Sequence, residues 1–171
     1  SSDQDVWQHY QWGGPDYKGA AVVYQNHAVG LNTWLISPGL SLKGGMTYRI
    51  SFWFQCWFAP VHHVYLLTSP TDTVTGRIKV IDIVKESSIT DNFSADVEIP
   101  SDGTYYLAFF DNTPYRHNET ALSYSATIDN IKVEAVSNNA LPTAPTGLTQ
   151  VPGANGDTAM SLKWKNPTHS K

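Results

Sequence analysis

Hydrophobic and polar residues alternate with a period of two along much of the chain, and no long segment has a clean helical period. The clearest case runs from Met46 to Cys56. One parity of this segment is apolar, with Ile50, Phe52 and Phe54 among its members, and the other is largely polar. Because successive side chains of a strand point to opposite faces, this pattern predicts a strand with one buried face.

Further segments have the composition of short strands, rich in β-branched and aromatic residues. They cover residues 20–25, 33–36, 61–68, 78–84, 93–99, 104–110 and 123–134. Turn residues separate them, at Ser37-Pro38-Gly39 and at residues 75–76, 100–103 and 111–114. The turn at residues 100–103 joins its two strands either as a hairpin or as a corner between two sheets. Short strands with turns at intervals of about 8–12 residues predict an all-β sandwich or barrel.

The last predicted strand changes its apolar parity at Asp129-Asn130. Before this point the apolar residues fall on even positions, such as Ile128, and after it they fall on odd positions, such as Ile131 and Val133. A regular strand would expose one of these halves, because a slip of one residue turns every side chain to the other face. The pattern predicts a β-bulge at Asp129-Asn130, a feature that often re-aims a side chain towards a site.

The composition changes after Val136. Residues 137–146 are small, polar and proline-containing, and they are predicted to be a linker between domains. Residues 147–171 contain two short strand-like segments on either side of a loop from Pro152 to Gly156. About thirty residues are too few to bury a core of their own. We therefore expect a first domain over residues 1–136 and the start of a second module over residues 147–171.

Composition and charge narrow the classes of function. The net charge is −4 and no run of Lys or Arg exists, so a nucleic-acid partner is not expected, because such proteins displace phosphate counterions with a basic surface. No apolar stretch approaches the roughly 18–20 residues of a membrane-spanning helix, so membrane insertion is not expected. The single cysteine, Cys56, shares the apolar parity of its strand and is predicted to be a buried side chain, not a reactive thiol.

Sequence motifs of catalysis are absent. The chain has no Gly-x-Ser-x-Gly elbow, no His-Glu-x-x-His and no phosphate-binding glycine loop. Asp96 and Glu98 alternate with apolar neighbours, which is the pattern of a solvated strand face. His62 and His63 are adjacent in a strand, so their side chains point to opposite faces and do not share one metal ion. The chain is predicted not to be an enzyme.

Four motifs stand in order along the first domain. They are Asn32-Thr-Trp-Leu-Ile-Ser-Pro38, Thr47-Tyr-Arg-Ile-Ser-Phe-Trp53, Asp102-Gly-Thr-Tyr-Tyr-Leu-Ala-Phe109 and Ile128-Asp-Asn-Ile-Lys-Val133. Together they resemble cleaved-adhesin domains, also called choice-of-anchor J domains, which are related to MAM-like jelly rolls. In the tail, Pro145-Thr-Gly-Leu-Thr149 with Leu162-Lys-Trp164 is similar to the opening of a fibronectin type III domain, in a version found in Bacteroidetes surface proteins.

The resemblance implies an antiparallel jelly-roll β-sandwich in a multi-domain secreted or cell-surface protein, followed by a truncated fibronectin type III-like segment. Such domains are usually adhesive, or they accompany peptidase and glycoside hydrolase modules. The expected function is therefore non-catalytic binding of a glycan, a host extracellular protein or neighbouring domains of the same chain. The alternative is a structural spacer or an ancillary domain of an exported peptidase or glycoside hydrolase.

Aromatic residues outside the expected core are the candidate ligand contacts, since exposed rings bind sugars through stacking and apolar contact. Trp53 is included because it has the polar parity of its strand. Packing in the core or between the sheets is the alternative for each ring, and Trp34 is assigned to packing. The full candidate set is Trp7, Tyr10, Trp12, Trp53 and Tyr115, with Asp111 and Arg116 as hydrogen-bond partners for sugar hydroxyls.

A structural calcium is the one cofactor that the resemblance suggests. Ca²⁺ takes about six to eight oxygen ligands. Asp3, Asp5, Asp129 and Asn130 would converge if the first and last strands pair, as the termini of jelly rolls commonly do. The alternative is that Asp129-Asn130 only stabilises the bulge while Asp3 and Asp5 are solvated. The acidic, glycine-interrupted loop of relatives is here replaced by residues 12–16, which contain few carboxylates.

Overall fold

The structure is a computed structural model that describes residues 7–11, 13–16, 18–24, 30–114, 125–136, 149–151 and 161–163. The chain divides into two compact units, Ser1–Val136 and Ser137–Lys171. The first unit contains two antiparallel sheets that form a sandwich, which confirms the all-β jelly-roll prediction. Within the part of the chain that the structure describes, no helix has the length and apolarity needed to cross a membrane.

The strands of the first unit divide between the two sheets. In chain order they are β1 (Gln8–Tyr10), β2 (Ala20–Tyr24), β3 (Thr33–Ile36), β4 (Leu40–Leu42), β5 (Thr47–Cys56), β6 (Val61–Leu67), β7 (Ile78–Val84), β8 (Ile89–Glu98), β9 (Gly103–Asp111) and β10 (Ser125–Ala135). Sheet I has the order β1-β2-β10-β5-β8. Sheet II has the order β3-β9-β6-β7, and β4 pairs with a separate part of β9.

The connections produce the jelly-roll topology. The chain crosses between the sheets at β2–β3, β4–β5, β5–β6, β7–β8, β8–β9 and β9–β10, which is how a jelly roll closes two sheets over one core. The turn at residues 100–103 is therefore a corner between sheets and not a hairpin. Strands β2 and β10 are neighbours in Sheet I, with β1 beyond β2, so the pairing on which the calcium hypothesis depends is present between β2 and β10.

The core lies between the inward faces of the two sheets. Ile50, Phe52, Phe54 and Cys56 of β5 are all buried, with exposures of 2% or less. They pack against inward residues of β6, β7 and β9 in one continuous cluster. Cys56 is buried as predicted, and its thiol donates a hydrogen bond to the carbonyl of Phe58 at 2.9 Å. The period-two pattern of the sequence thus identifies the buried face of this strand correctly.

Ser37-Pro38-Gly39 is not the turn that the sequence suggested. Strands β3 and β4 both pair with β9 and run along the same edge of it. Pro38 has no N–H to donate to a neighbouring strand, and the pairing is interrupted there. Ser37 bridges the gap, because its N–H donates to the Leu107 carbonyl at 2.8 Å and its hydroxyl accepts from the Leu107 N–H at 2.9 Å.

The predicted β-bulge at Asp129-Asn130 is confirmed. Along the β10–β5 ladder, Asp129 pairs with Trp53 and Lys132 pairs with Ser51, and the register shifts between these two pairs. Asn130 takes a φ of 53°, in the left-handed region. Asparagine tolerates that region better than most residues, because its short polar side chain can bond locally. Beyond the bulge Val133 packs against the core, as Ile128 does before it, whereas Ile131 within the bulge is 44% exposed.

The second unit is described over two strands, β11 (Thr149–Val151) and β12 (Ser161–Lys163). They pair antiparallel, with Thr149 opposite Lys163. The sequence predicted two short strands in these positions. The resemblance of this unit to a fibronectin type III domain, and the linker at residues 137–146, stay predictions.

Candidate functional site

Two of the predicted contact rings lie on or near β1. Trp7 is half-buried and packs against the core cluster, with its ring edge-on to His62 at a centroid distance of 6.0 Å. Its Nε1 is buried and has no hydrogen-bond partner among the described residues. Tyr10 is 46% exposed and stays a candidate contact. The candidates Trp12, Tyr115 and Arg116 lie outside the described residues.

The expectation that Trp53 is an exposed ring is wrong, because its exposed fraction is only 9%. Trp53 does lie on the outward face of Sheet I, as its parity predicted. Gly14, however, lies so close to the Asp129 carboxylate that a Cβ at this glycine would collide with it. Asp129 is the cross-strand neighbour of Trp53, so this part of the outward face is covered by the chain itself.

Asp111 is also not at the surface, since its exposed fraction is 0%. The sequence placed it in a turn, but β9 extends to include it. Its Oδ2 is 2.7 Å from Nε2 of the buried His62. Its Oδ1 accepts hydrogen bonds from the N–H and the hydroxyl of Thr113, at 3.0 and 2.7 Å. Asp111 therefore stabilises the core and is not available to sugar hydroxyls.

The two adjacent histidines point to opposite faces, as predicted. His62 is 1% exposed and faces the core, where its ring contacts Phe54 at a centroid distance of 4.8 Å. His63 faces outward and is partly exposed. Its ring is roughly parallel to those of Phe110 and Tyr65, at 6.1 and 6.2 Å. His63 thus belongs to a second cluster of side chains, on the outside of the sandwich.

This second cluster covers the outward face of Sheet II, and we call it the aromatic face. It arises because β3, β6 and β9 are apolar on both parities, so they carry apolar side chains outward as well as into the core. Only part of it is buried, since Trp34, Tyr106 and Phe110 keep partial exposure. Its members are Trp34, Ile36, His63, Tyr65, Leu67, Tyr106, Ala108 and Phe110.

Trp34 and Phe110 form the centre of the aromatic face. They are cross-strand neighbours in the β3–β9 ladder, and their rings stack with centroids 4.3 Å apart and an interplanar angle of 15°. Trp34 also lies 6.0 Å from Tyr65. Stacked, partly exposed rings present a flat apolar surface of the kind that complements the C–H face of a sugar.

The sequence indicates that some strands are apolar on both faces, but the alternation of residues does not show which face points outward. The run from Tyr105 to Phe110 is apolar or aromatic at every position, which is typical of a strand buried on both faces. The outward members could then be covered by another domain or left for a partner. Trp34 does pack, as expected, but on Phe110 at the outside of the sandwich.

Charged side chains border the aromatic face along β7. His63 and Lys79 both bond to Asp82, with His63 Nδ1 2.7 Å from Oδ1 and the Lys79 ammonium donating to Oδ2 at 2.6 Å. These two hydrogen bonds hold the pKa of the Asp82 carboxyl below its usual value. Arg77 lies over the ring of Tyr65, with its guanidinium carbon 4.7 Å from the ring centroid. This contact is a cation–π interaction.

One oxygen among the described calcium candidates lacks a protein partner. Asp129 Oδ2 is buried without a hydrogen-bond partner among the described residues, while Oδ1 accepts from the N–H of Asn130 at 2.7 Å. A buried carboxylate oxygen without a donor is costly unless a cation or water satisfies it, so Asp129 fits a calcium ligand. The described residues contain no cluster of three or more His, Cys, Asp or Glu that could hold a metal. Asp3 and Asp5 lie outside the described residues.

Comparisons with known proteins rest on structure alone. The sequence matches no known protein-family model. It also matches no curated protein.

Solved structures with the same architecture include cleaved adhesin domains and a domain solved in complex with an oligosaccharide. The K1 cleaved adhesin domain of Lys-gingipain from Porphyromonas gingivalis W83 has a TM-score of 0.57 at 14% identity, covering 79% of this chain and 86% of that domain. The K3 domain of the same protein has a TM-score of 0.53 at 16% identity, with coverages of 77% and 86%. TmCBM61, solved in complex with β-1,4-galactotriose, has a TM-score of 0.54 at 10% identity, with coverages of 80% and 86%. The first unit has the fold of these domains.

Proposed function

We propose that this chain is a non-catalytic carbohydrate-binding or adhesion module, and that the aromatic face of Sheet II is its ligand-binding surface. Its ligand is a glycan, either free or carried on a host extracellular glycoprotein. The module belongs to a multi-domain protein that is secreted or displayed on a cell surface. Trp34 and Phe110 form the stacking platform, and the side chains of β7 supply polar contacts.

The stacked pair Trp34–Phe110 is the observation that carries this proposal. Partly exposed rings on a sheet have lower free energy when an apolar surface covers them, because each ring buries a large area. A rigid sheet also holds them in place, so little side-chain entropy is lost on binding. A domain of this fold, TmCBM61, has been solved with an oligosaccharide bound, which supports a glycan as the ligand here.

The proposal is tested by replacing Trp34 with alanine. We expect the affinity for the glycans that the wild-type chain binds to fall by about five- to hundredfold, because a stacking ring contributes about 1–3 kcal/mol in comparable base-stacking sites. Binding is measured on a glycan array and then by calorimetry. Trp34→Phe, which keeps a ring, should restore most of the affinity.

Trp57→Ala is the matched control, because Trp57 is 63% exposed and is not a member of the aromatic face. It should leave binding unchanged. If Trp57→Ala abolishes binding while Trp34→Ala does not, the aromatic face is not the site. If the wild-type chain binds no glycan, the alternative is favoured, namely a structural spacer or an ancillary domain of an exported peptidase or glycoside hydrolase whose aromatic face packs on its neighbour.

We also propose that the first unit holds a structural calcium ion through Asp129. Two observations support it: Oδ2 of this residue is buried with no hydrogen-bond partner in the described part of the chain, and Gly14 lies close to it. The remaining ligands would come from Asp3, Asp5, Asn130 and backbone carbonyls near the amino terminus. A bound ion would stabilise the junction of the first and last strands, because a ligand that binds the folded state adds its binding free energy to folding.

Calcium removal should lower the melting temperature of the wild-type chain by several degrees, and adding calcium back should restore it. In Asp129→Asn the melting temperature should no longer respond to either treatment, because the amide has lost one charged oxygen. Differential scanning calorimetry with chelator or calcium measures both. Asp96→Asn, at an exposed ion pair with Arg49, should respond like the wild type. An identical response of Asp129→Asn and the wild type would contradict the assignment.

A further inference from the structure

The border of the aromatic face carries more positive than negative charge. Arg77 and Lys79 lie close enough for their charges to repel, which opposes the rise in the pKa of Lys79 that Asp82 causes. Asp82 is the carboxylate at this border, and both of its oxygens are already bonded, one to His63 and one to Lys79. With Asp82 ionised, the charges of Arg77, Lys79 and Asp82 add up to one net positive charge, although the chain as a whole carries −4.

Arg77 is the cation at this border that has no carboxylate partner among the described residues. Among the described residues, no carboxylate lies within ion-pair distance of its guanidinium. Its one hydrogen bond to a described residue is long, from Nη1 to the carbonyl of Thr73 at 3.5 Å. A guanidinium has five N–H donors in a planar fork that matches a carboxylate or a sulfate. Most of these donors are therefore available to a ligand.

Arg77 is also fixed in position relative to the stacking rings. Its guanidinium lies 4.7 Å from the centroid of Tyr65, and Tyr65 lies 6.0 Å from Trp34. Contact with an aromatic ring restricts the guanidinium, so less freedom is lost when it bonds to an anion. A short oligosaccharide that stacks on Trp34 can extend to the guanidinium.

We propose that the aromatic face selects acidic glycans, in which a carboxylate or sulfate group on the sugar pairs with Arg77 while a sugar ring stacks on Trp34 and Phe110. This inference rests on the proposed function, since it names the ligand class of the same surface. It goes further, because stacking alone does not distinguish an acidic sugar from a neutral one. The charge at Arg77 supplies that distinction.

A paired array tests the selectivity. Galacturonate, glucuronate and mannuronate oligosaccharides and sialyllactose are each presented beside the same glycan with its carboxyl group reduced to an alcohol, and sulfated lactose beside lactose. We expect the acidic member of a pair to bind at least tenfold more tightly at low salt and to lose most of this advantage at 1 M salt, because exposed charges are screened. Uronates and sialyllactose report carboxylate recognition, and sulfated lactose reports sulfate recognition.

Arg77→Gln identifies the residue responsible. It should lower the affinity for acidic members by about tenfold, the value of one charge-assisted hydrogen bond, and leave the affinity for neutral members unchanged. Arg77→Lys, which keeps the charge but not the fork, should fall between Arg77→Gln and the wild type. Lys132→Gln, on the outward face of Sheet I, is the matched control and should behave as the wild type.

The outcomes separate this inference from the proposed function. Trp34→Ala should weaken acidic and neutral glycans alike, whereas Arg77→Gln should weaken acidic ones only. Equal binding of acidic and neutral members, or no difference between Arg77→Gln and Lys132→Gln, overturns the acidic selectivity and leaves the binding module standing. Absence of all glycan binding overturns both.

Discussion

Replacing Asp111 with alanine is expected to lower the free energy of unfolding of the first unit by about 3–5 kcal/mol, because several buried donors lose an acceptor at about 1–3 kcal/mol each. His62 Nε2 and both donors of Thr113 lose their acceptor in a region from which water is excluded. Buried donors without an acceptor cost far more than the net value of a hydrogen bond. The change should appear as a lower denaturation midpoint in urea with an unchanged slope.

Asp111→Asn separates the contribution of this side chain's shape to stability from the contribution of its charge. It fills the same volume and keeps one acceptor oxygen, so it should lose less stability than Asp111→Ala. Asp96→Ala is the surface control. Asp96 accepts two hydrogen bonds from Arg49, at 2.7 and 2.8 Å, but both side chains are solvated, so its loss should be far smaller. An Asp111→Ala variant as stable as Asp96→Ala would show that the buried bonds contribute little.

The sequence was most informative where one parity is apolar and the other polar. Residues 46–56 alternate in this way, and the inward side of β5 followed directly. The parity change at Asp129-Asn130 located a bulge, because a regular strand cannot bury both halves of that segment. These are local rules, and they hold wherever one face of a strand meets the core and the other meets water.

Parity was insufficient where both faces of a strand are apolar. Strands β3, β6 and β9 have apolar residues on both parities, so the pattern did not reveal that Trp34 and Phe110 point outward. Which parity faces the core depends on the order of the strands and on the partner sheet, neither of which is encoded locally. The aromatic face could be located only once the sandwich was assembled.

Long-range contacts account for the two candidate residues that proved buried. Asp111 looked like part of a turn, but its Oδ2 lies 2.7 Å from Nε2 of His62, far away in the sequence. Trp53 has the correct outward parity, but parity says nothing about whether another segment crosses that face. Here Gly14 lies against the neighbouring Asp129, and glycine is required because its φ is +85° and any Cβ would meet the carboxylate.

The covering of Trp53 leads to a second prediction about stability. Trp53→Ala is expected to lower the free energy of unfolding by about 3 kcal/mol, near the lower end of values for buried aromatic side chains, since the ring lies on the outward face and not in the central core. Unfolding is best followed by circular dichroism in urea, because removing a tryptophan changes the fluorescence signal directly.

Trp57→Ala makes the comparison sharp, since it removes the same side chain a few residues along the chain. Strand β5 ends at Cys56, and Trp57 beyond it is 63% exposed, so its removal should change the stability by no more than about 0.5 kcal/mol. Two equally small losses would mean that the outward face of Sheet I is open at Trp53, and this ring would return to the candidate ligand contacts. A large loss for Trp53 alone leaves the aromatic face of Sheet II as the surface with partly exposed stacked rings, because the large ring of Sheet I then contributes to folding and not to binding.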